Sequence, residues 1–418
     1  MELKTKYQYT YFIKPFLIRE DKYDKYLLKL LKSKDCSLKI FEKERDLDIY
    51  SHFLPNIREY FFPTFNYNKE KIKKLNDMDN DIKALILSKL HCNVFEYKMS
   101  SEIQGKVDTE DSIFFNISKM EIICFDTGIC FLLIKTNLED SNIFSEILDF
   151  NFKFKDINSE FYKLKAFNNI KIQTDKFSSM KEVSTFINEI IGANDKYWDN
   201  KDIDLYNKRF FTYTYTCVDQ ENWNMTNKFE NIEDEFFKYT NVLPSNYNAS
   251  LHQEEIEKKY ETNSKWEFAR FGFTKQSSSL FCSNMDIRNY TTLPYEYENQ
   301  YLYTLIIALY QRIYLKKINI ECKSKKDINN LRKKFAKFVS EIWAEELTNS
   351  ETGTMLYVNF RKVFEISEIY EEIKNKYDVM YKEIGFDNSS KLNKAICFAL
   401  IISLLINILN AITLMRLK

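Results

Sequence analysis

MEIICFDTGICFLLIKT, residues Met120–Thr136, is the stretch on which the fold turns. Two apolar, β-branched runs, Met120–Phe125 and Ile129–Thr136, are joined by Asp126-Thr127-Gly128, and Asp and Gly are residue types that suit a tight turn. The pattern is that of a β-hairpin, with Ile113–Ile117 pairing beside it. Outward from the hairpin, Tyr7–Ile18 is aromatic and β-branched, with Pro15 near its end, and reads as a strand; Ser37–Phe41, Lys208–Val218, Trp266–Phe273 and Ser278–Cys282 read likewise. Amphipathic spacing predicts helices over Asp21–Lys32, Asn68–Leu75, Asp79–Leu90 and Met180–Ile191, the last closed by Gly192 as a C-cap. Strands and helices mix without a regular βαβ repeat, so the expected class is an α+β body.

The expected division is an α+β domain over 1–165, a second α+β region over 166–290 with a polar insertion at 219–261, and a helical region and stalk over 291–384. Tyr7–Phe12 and Phe211–Cys217 look alike, as if each began one of two related halves. Beyond Pro294, helices are predicted over Tyr295–Ile318, Lys326–Glu346 and Met355–Ile384, with Thr348 and Glu351 matching a capping box before the last. Val363, Ile366, Tyr370, Ile373, Tyr377, Met380 and Ile384 recur there at alternating intervals of three and four. That is the a/d seam of a coiled coil, or a stripe that packs on the chain's own preceding helices.

Ala395–Met415 carries no charge and, at about 1.5 Å per residue, would span roughly 30 Å as one C-terminal transmembrane helix. Lys391 and Lys394 precede it, and Arg416 and Lys418 follow. Ser403, Asn407 and Asn410 fall on one face of that helix, a polar stripe suited to self-association or to a pore lining. The expectation is a tail-anchored, single-pass protein of the cell membrane, its body in the cytoplasm, with the lipid bilayer and further copies of itself as partners.

Charge is balanced, with 61 basic and 61 acidic residues, which gives no general drive toward nucleic acid. The eight cysteines include no CxxC pair, and the N-terminus has no apolar leader, which fits reduced thiols. Six scattered glycines exclude a Walker loop and GxGxxG, and no cofactor is implied. Asp126-Thr127-Gly128 matches half of an aspartic-protease pair, but no second triplet exists. Asp77, Asp79 and Asp81 alternate like calcium ligands, yet Ile82 and Ser88 stand where that loop needs Gly and Glu. His52, His91 and His252 lack partners at metal-ligand spacing, so catalytic and metal residues are left unassigned.

The C-terminal quarter loosely resembles the CorA-type divalent-cation channels in layout, an α/β soluble domain followed by long helices leading to the membrane. Phe338–Tyr357 and the helix through Tyr381 carry the likeness. The resemblance implies a channel or transporter subunit. That family has two membrane helices joined by Gly-Met-Asn; this sequence offers one span and no Gly-Met-Asn, so no selectivity residue carries over. In composition the whole chain is also similar to proteins of AT-rich bacteria. The reading that the residues favour is an oligomeric sensing or binding body, a regulator or membrane effector rather than an enzyme.

Overall fold

The computed structural model describes residues 3–107, 112–138, 142–157, 170–192 without 175 and 178, 196–199, 209–219, 232–247, 261–321, 328–382, and then 394, 396–398 and 400. The hairpin lies within one mixed sheet of twelve strands. These are β1 (Thr5–Leu17), β2 (Cys36–Lys39), β3 (Cys92–Tyr97), β4 (Ile103–Val107), β5 (Ile113–Phe125), β6 (Ile129–Leu138), β7 (Ile170–Gln173), β8 (Lys181–Glu182), β9 (Phe211–Val218), β10 (Glu261–Trp266), β11 (Ala269–Phe273) and β12 (Ser277–Ser283). They are ordered β10-β11-β12-β9-β1-β6-β5-β4-β7-β8, with β2 and β3 attached to the far half of β5. Strands on both sides of the boundary expected at 165 therefore join one sheet. Ile113–Ile117 is continuous with Met120–Phe125 as a single strand, because Ser118 and Lys119 are absorbed at a register shift against β6.

The two look-alike segments are neighbours. β1 and β9 pair antiparallel, with Tyr9 opposite Tyr215 and Tyr11 opposite Tyr213. Beyond them β6 runs antiparallel to β1 while β12 runs parallel to β9, so they do not head equivalent halves. β1 pairs with β9 only as far as Ile13, which leaves Pro15 where the strand has a neighbour on one side and its missing N–H is not needed.

The helices of the first part are α1 (Tyr23–Lys32), α2 (Leu47–His52), α3 (Pro55–Phe61), α4 (Lys69–Asp77), α5 (Asn80–Leu87), α6 (Phe144–Lys155), α7 (Val183–Ile191) and α8 (Glu233–Asn241). Period-two alternation sends Phe12, Phe115, Ile122 and Ile134 into a core shared with Leu27, Phe150, Ile187 and Phe236 from α1, α6, α7 and α8. The opposite face carries the tyrosines. Tyr213 stacks on Tyr297 at 4.0 Å between ring centroids, and Phe125 stacks on Tyr310 at 3.9 Å. The phenols on that face find acceptors: Tyr9 donates to Pro294 O (2.7 Å), Tyr213 to Tyr297 O (2.8 Å) and Tyr11 to Glu298 Oε1 (2.6 Å). Each such side chain contributes roughly 1.5–3 kcal/mol by burial alone, provided its hydroxyl is satisfied.

The chain divides into two compact units, Met1–Tyr314 with Ile342–Ile366, and Leu315–Glu341 with Ser367–Lys418. The sheet belongs to the first. In the second, Ile318, Ile328, Leu331 and Ile373 are buried, the Phe335 and Tyr370 rings meet at 5.2 Å, and Lys334 pairs with Glu321 at 2.6 Å.

Two expectations for the C-terminal region are corrected. The single helix Met355–Ile384 is broken: Glu351–Val363 ends at Phe364, Glu365 adopts φ 53°, and a new helix runs over 366–382. Residues two apart lie on opposite sides of a continuous helix, yet Phe364 and Ile366 are both fully buried; the left-handed turn between them makes that possible. The cap of the first piece is Ser350, whose Oγ accepts from Gly353 N at 3.4 Å, rather than Thr348.

The membrane keywords, with the transmembrane helix of the expected fold class and the tail anchor, are corrected too. Among the described residues no helix is long and apolar enough to cross a membrane. The long helix Leu302–Glu321 carries Arg312, Lys316, Lys317 and Glu321. Of the stretch 395–415, only 396–398 and 400 are described; Ser403, Asn407 and Asn410 lie outside the described residues.

Candidate functional site

A cleft of about 570 Å³ opens between α1 and α7, a volume in the range that takes a small organic molecule. Its position follows from local sequence. The apolar stripe of α1 (Tyr23, Tyr26, Leu27, Leu30) faces the core, which turns Lys29 and Lys32 toward the cleft rim. Ser33 ends the helix, and its Oγ accepts from Asp35 N at 3.2 Å. That turn delivers Cys36 to the start of β2, opposite Tyr97 of β3. On the other wall α7 buries Val183, Phe186, Ile187 and Ile191 and is closed by Gly192 in the left-handed region at φ 68°, as its sequence predicts.

The floor is apolar: Leu30, Cys36, Phe177, Phe186 and Ile190. Phe186 meets Phe177 and Tyr97 edge-on, each at 5.8 Å between centroids. The rim is charged, with Lys29, Lys32 and Lys176 beside the carboxylates of Asp35 and Glu189. Lys32 lies 3.2 Å from Asp81, and Lys176 bridges Asp35 and the Tyr97 hydroxyl. Slight burial works against the Lys176 charge, but the Asp35 carboxylate and Tyr97 phenol outweigh it and raise its pKa. Burial pushes the Cys36 thiol up, against the opposing Ser33 hydrogen bond and the Lys176 charge, so the sulfur is a neutral thiol near pH 7 rather than a nucleophilic thiolate. An elongated apolar body fits between the rings, with an acidic head on the ammonium groups. Sequence spacing assigns none of these residues a binding role, because they come from four separate segments with no shared pattern.

A second polar constellation lies where β2, β3, β5 and β6 carry charge. Glu121 is 1% exposed, with Lys39 Nζ at 2.7 Å and Lys119 Nζ at 3.5 Å. Burial alone would raise the Glu121 carboxyl, but the Lys119 and Lys39 charges hold it below its usual range. Lys39 also reaches Glu96 at 3.2 Å, and Lys135 pairs with Glu298 at 2.6 Å.

The turn Asp126-Thr127-Gly128 forms as expected, with Gly128 at φ 78°. Asp126 Oδ2 lies 3.1 Å from His91 Nδ1, whose ring stacks on Tyr60 at 4.3 Å. Cys92 beside that histidine is buried, and burial raises its pKa far above the ordinary value. His52 is buried against Phe53 and Tyr301, and burial lowers its pKa to about 4. His252 lies outside the described residues, and among those described no group of three or more His, Cys, Asp or Glu side chains could hold a metal ion.

The heptad residues are divided between two helices. Ile366 and Ile373 are buried within the single chain; Val363, Tyr370, Tyr377 and Met380 are half-buried, and Ile384 lies outside the described residues. No family model, no curated protein and no solved structure matches the chain. The CorA-type likeness therefore rests on its layout alone.

Proposed function

We propose that this protein is a ligand-binding module, a sensor or regulator, that takes a small amphipathic acid in the cleft between α1 and α7. One observation carries the reading: the phenyl-lined floor of Phe177 and Phe186 lies beneath a rim on which three lysines outnumber the two carboxylates of Asp35 and Glu189. A medium-chain carboxylate or alkyl phosphate has the matching chemistry, with an apolar body to cover the floor and charge for the rim. Among the described residues six buried cysteines are free thiols, including Cys124 and Cys130, which are direct cross-strand partners; this supports work in a reducing compartment.

The test is calorimetric titration of the full chain with laurate and with dodecyl phosphate, against uncharged dodecanol. Binding of the acids should weaken at least tenfold in the double variant Lys29→Glu/Lys176→Glu, about 1.4 kcal/mol. Bound acid should also slow alkylation of Cys36, read peptide by peptide. Equal binding by the double variant, or alkylation of Cys36 unaffected by saturating acid, would refute the reading.

A further inference from the structure

Strand β5 changes partner along its length, and the sheet forks there. Ile113–Ile117 pairs with β4 and Glu121–Phe125 with β3, while Ser118 and Lys119 occupy the register shift against β6. A pocket of about 380 Å³ fills the fork, lined by Glu96, Ser101, Glu102, Ser118 and Lys119 among others. It shares Tyr97 with the cleft but differs in chemistry: beside Met99 and Met120 it carries two carboxylates, two hydroxyls and an ammonium in place of the phenylalanine floor.

A row of amides runs up to this fork. Gln173 of β7 pairs with Gln104 of β4, Gln104 with Asn116 of β5, and Asn116 with Asn137 of β6. Residues in cross-strand register present their side chains on one face, at intervals of about 4.8 Å, so the four amides form a line across four strands. Three oxygens on β5 and β6 are occluded and have no hydrogen-bond partner: Ser118 Oγ in the fork itself, Asn116 Oδ1 two residues before it, and Asn137 Oδ1 across from Asn116 on β6. Asn116 is only 9% exposed. An unpaired polar atom in such a place costs about 1–3 kcal/mol, and a cluster of them points to a ligand that completes the bonds.

The ligand class follows from the groups present. A side-chain amide offers donor and acceptor together, which is what a hydroxyl, itself both, complements. Glu96 and Glu102 accept from hydroxyls, and Lys119 and Ser118 donate to them. Phe114, two residues from Asn116 on the same face of β5, is 54% exposed and gives a flat apolar surface for the C–H face of a sugar ring. Charge argues against a phosphate or nucleic acid, because Lys119 already faces Glu121 at 3.5 Å and Glu298 at 3.9 Å, and Lys39 faces Glu96 at 3.2 Å. An added peptide strand has little edge to pair with beside the row, since β8 already pairs with Lys171 and Ile172 on the outer side of β7. We propose that the β5 fork and its amide row bind a neutral polyhydroxylated chain, an oligosaccharide.

Affinity electrophoresis of the full chain through gels containing soluble neutral polysaccharides (a cellulose ether, xylan, galactomannan, starch, dextran), with heparin as the charged comparator, tests this. At least one neutral polymer should retard the protein. Because Gln104 and Phe114 are surface residues, Gln104→Ala/Phe114→Ala should keep the native circular dichroism yet lose at least tenfold in affinity. Phe186→Ala in the cleft should bind the polymer as the parent does. No retardation by any neutral polymer, retardation by heparin alone, or unchanged retardation of the double variant would overturn the proposal.

Discussion

From Met120 to Phe125, strand β5 leaves no side chain more than 1% exposed: alternate residues enter the two cores, and Glu121, the one charge, is met by two lysines. From Phe114 to Lys119 the same strand leaves a phenyl ring in solvent and two oxygens without partners. The backbone pairing is regular on both sides of the bulge, so the ladder is not what separates them. What differs is whether each side chain has its complement inside the chain. Where it has, the residue holds the fold; where it lacks one, the residue is available for something else, and substitutions should sort accordingly.

The largest contrast is between two phenylalanines of this strand. Phe125→Ala removes a ring stacked on Tyr310 and packed near Phe61 and Phe131, and should cost about 3–5 kcal/mol in urea unfolding. Phe114→Ala should stay within about 0.5 kcal/mol. Equal losses at the two positions would erase the distinction between the halves.

Next in size, Glu121→Ala leaves Lys39 and Lys119 without their buried counter-charge and should cost roughly 3–5 kcal/mol at pH 7. Because the folded carboxyl lies below its unfolded value, its contribution is complete above the ordinary carboxylate range and is lost as pH falls through the folded pKa. The variant's stability should therefore fall less steeply than the parent's at the acid end, as measured by unfolding midpoints between pH 6 and pH 3.

His52 sharpens the upper end of the same profile. Burial lowers its pKa from 6.5 to about 4, so the unfolded chain takes up the proton first, and stability present above pH 6.5 is lost as pH falls toward 4. The full loss is roughly 3 kcal/mol. His52→Gln should flatten this part of the profile, and an unchanged slope would mean that the imidazole does not set it. The smallest effect belongs to Asn116: Asn116→Leu should change stability by less than about 0.5 kcal/mol or raise it, since the native oxygen has no bond to lose. A loss above 2 kcal/mol would show that the amide holds the fold.

The hairpin, α1 and α7 with its Gly192 cap were legible because their signals are local: a period of two or 3.6, a turn triplet, a cap. Ser118 and Lys119 look like an interruption and so predict two strands, whereas the sheet absorbs them as a bulge within β5. The break at Phe364–Glu365 left no trace, since neither Gly nor Pro marks it and the apolar spacing continues through it. The single sheet was hidden for another reason: its central pairing joins Thr10 to Thr214, 204 residues apart, and no window of sequence contains both. The cleft was hidden similarly, its lysines and rings being supplied by α1, β2, β3 and the segment 176–190, each unremarkable alone.

That distant pairing also has a consequence for biosynthesis. β9 is made about two hundred residues after β1, so at ordinary elongation rates β1 waits roughly 10–40 s for its neighbour. During that interval its Tyr-Gln-Tyr-Thr-Tyr-Phe stretch is an open, aromatic edge with the composition that pairs readily with any other extended chain. The nascent protein is thus most exposed to aggregation in mid-translation rather than after release. Yield in the cell should respond to chaperones that act on the growing chain more than to the stability of the finished fold.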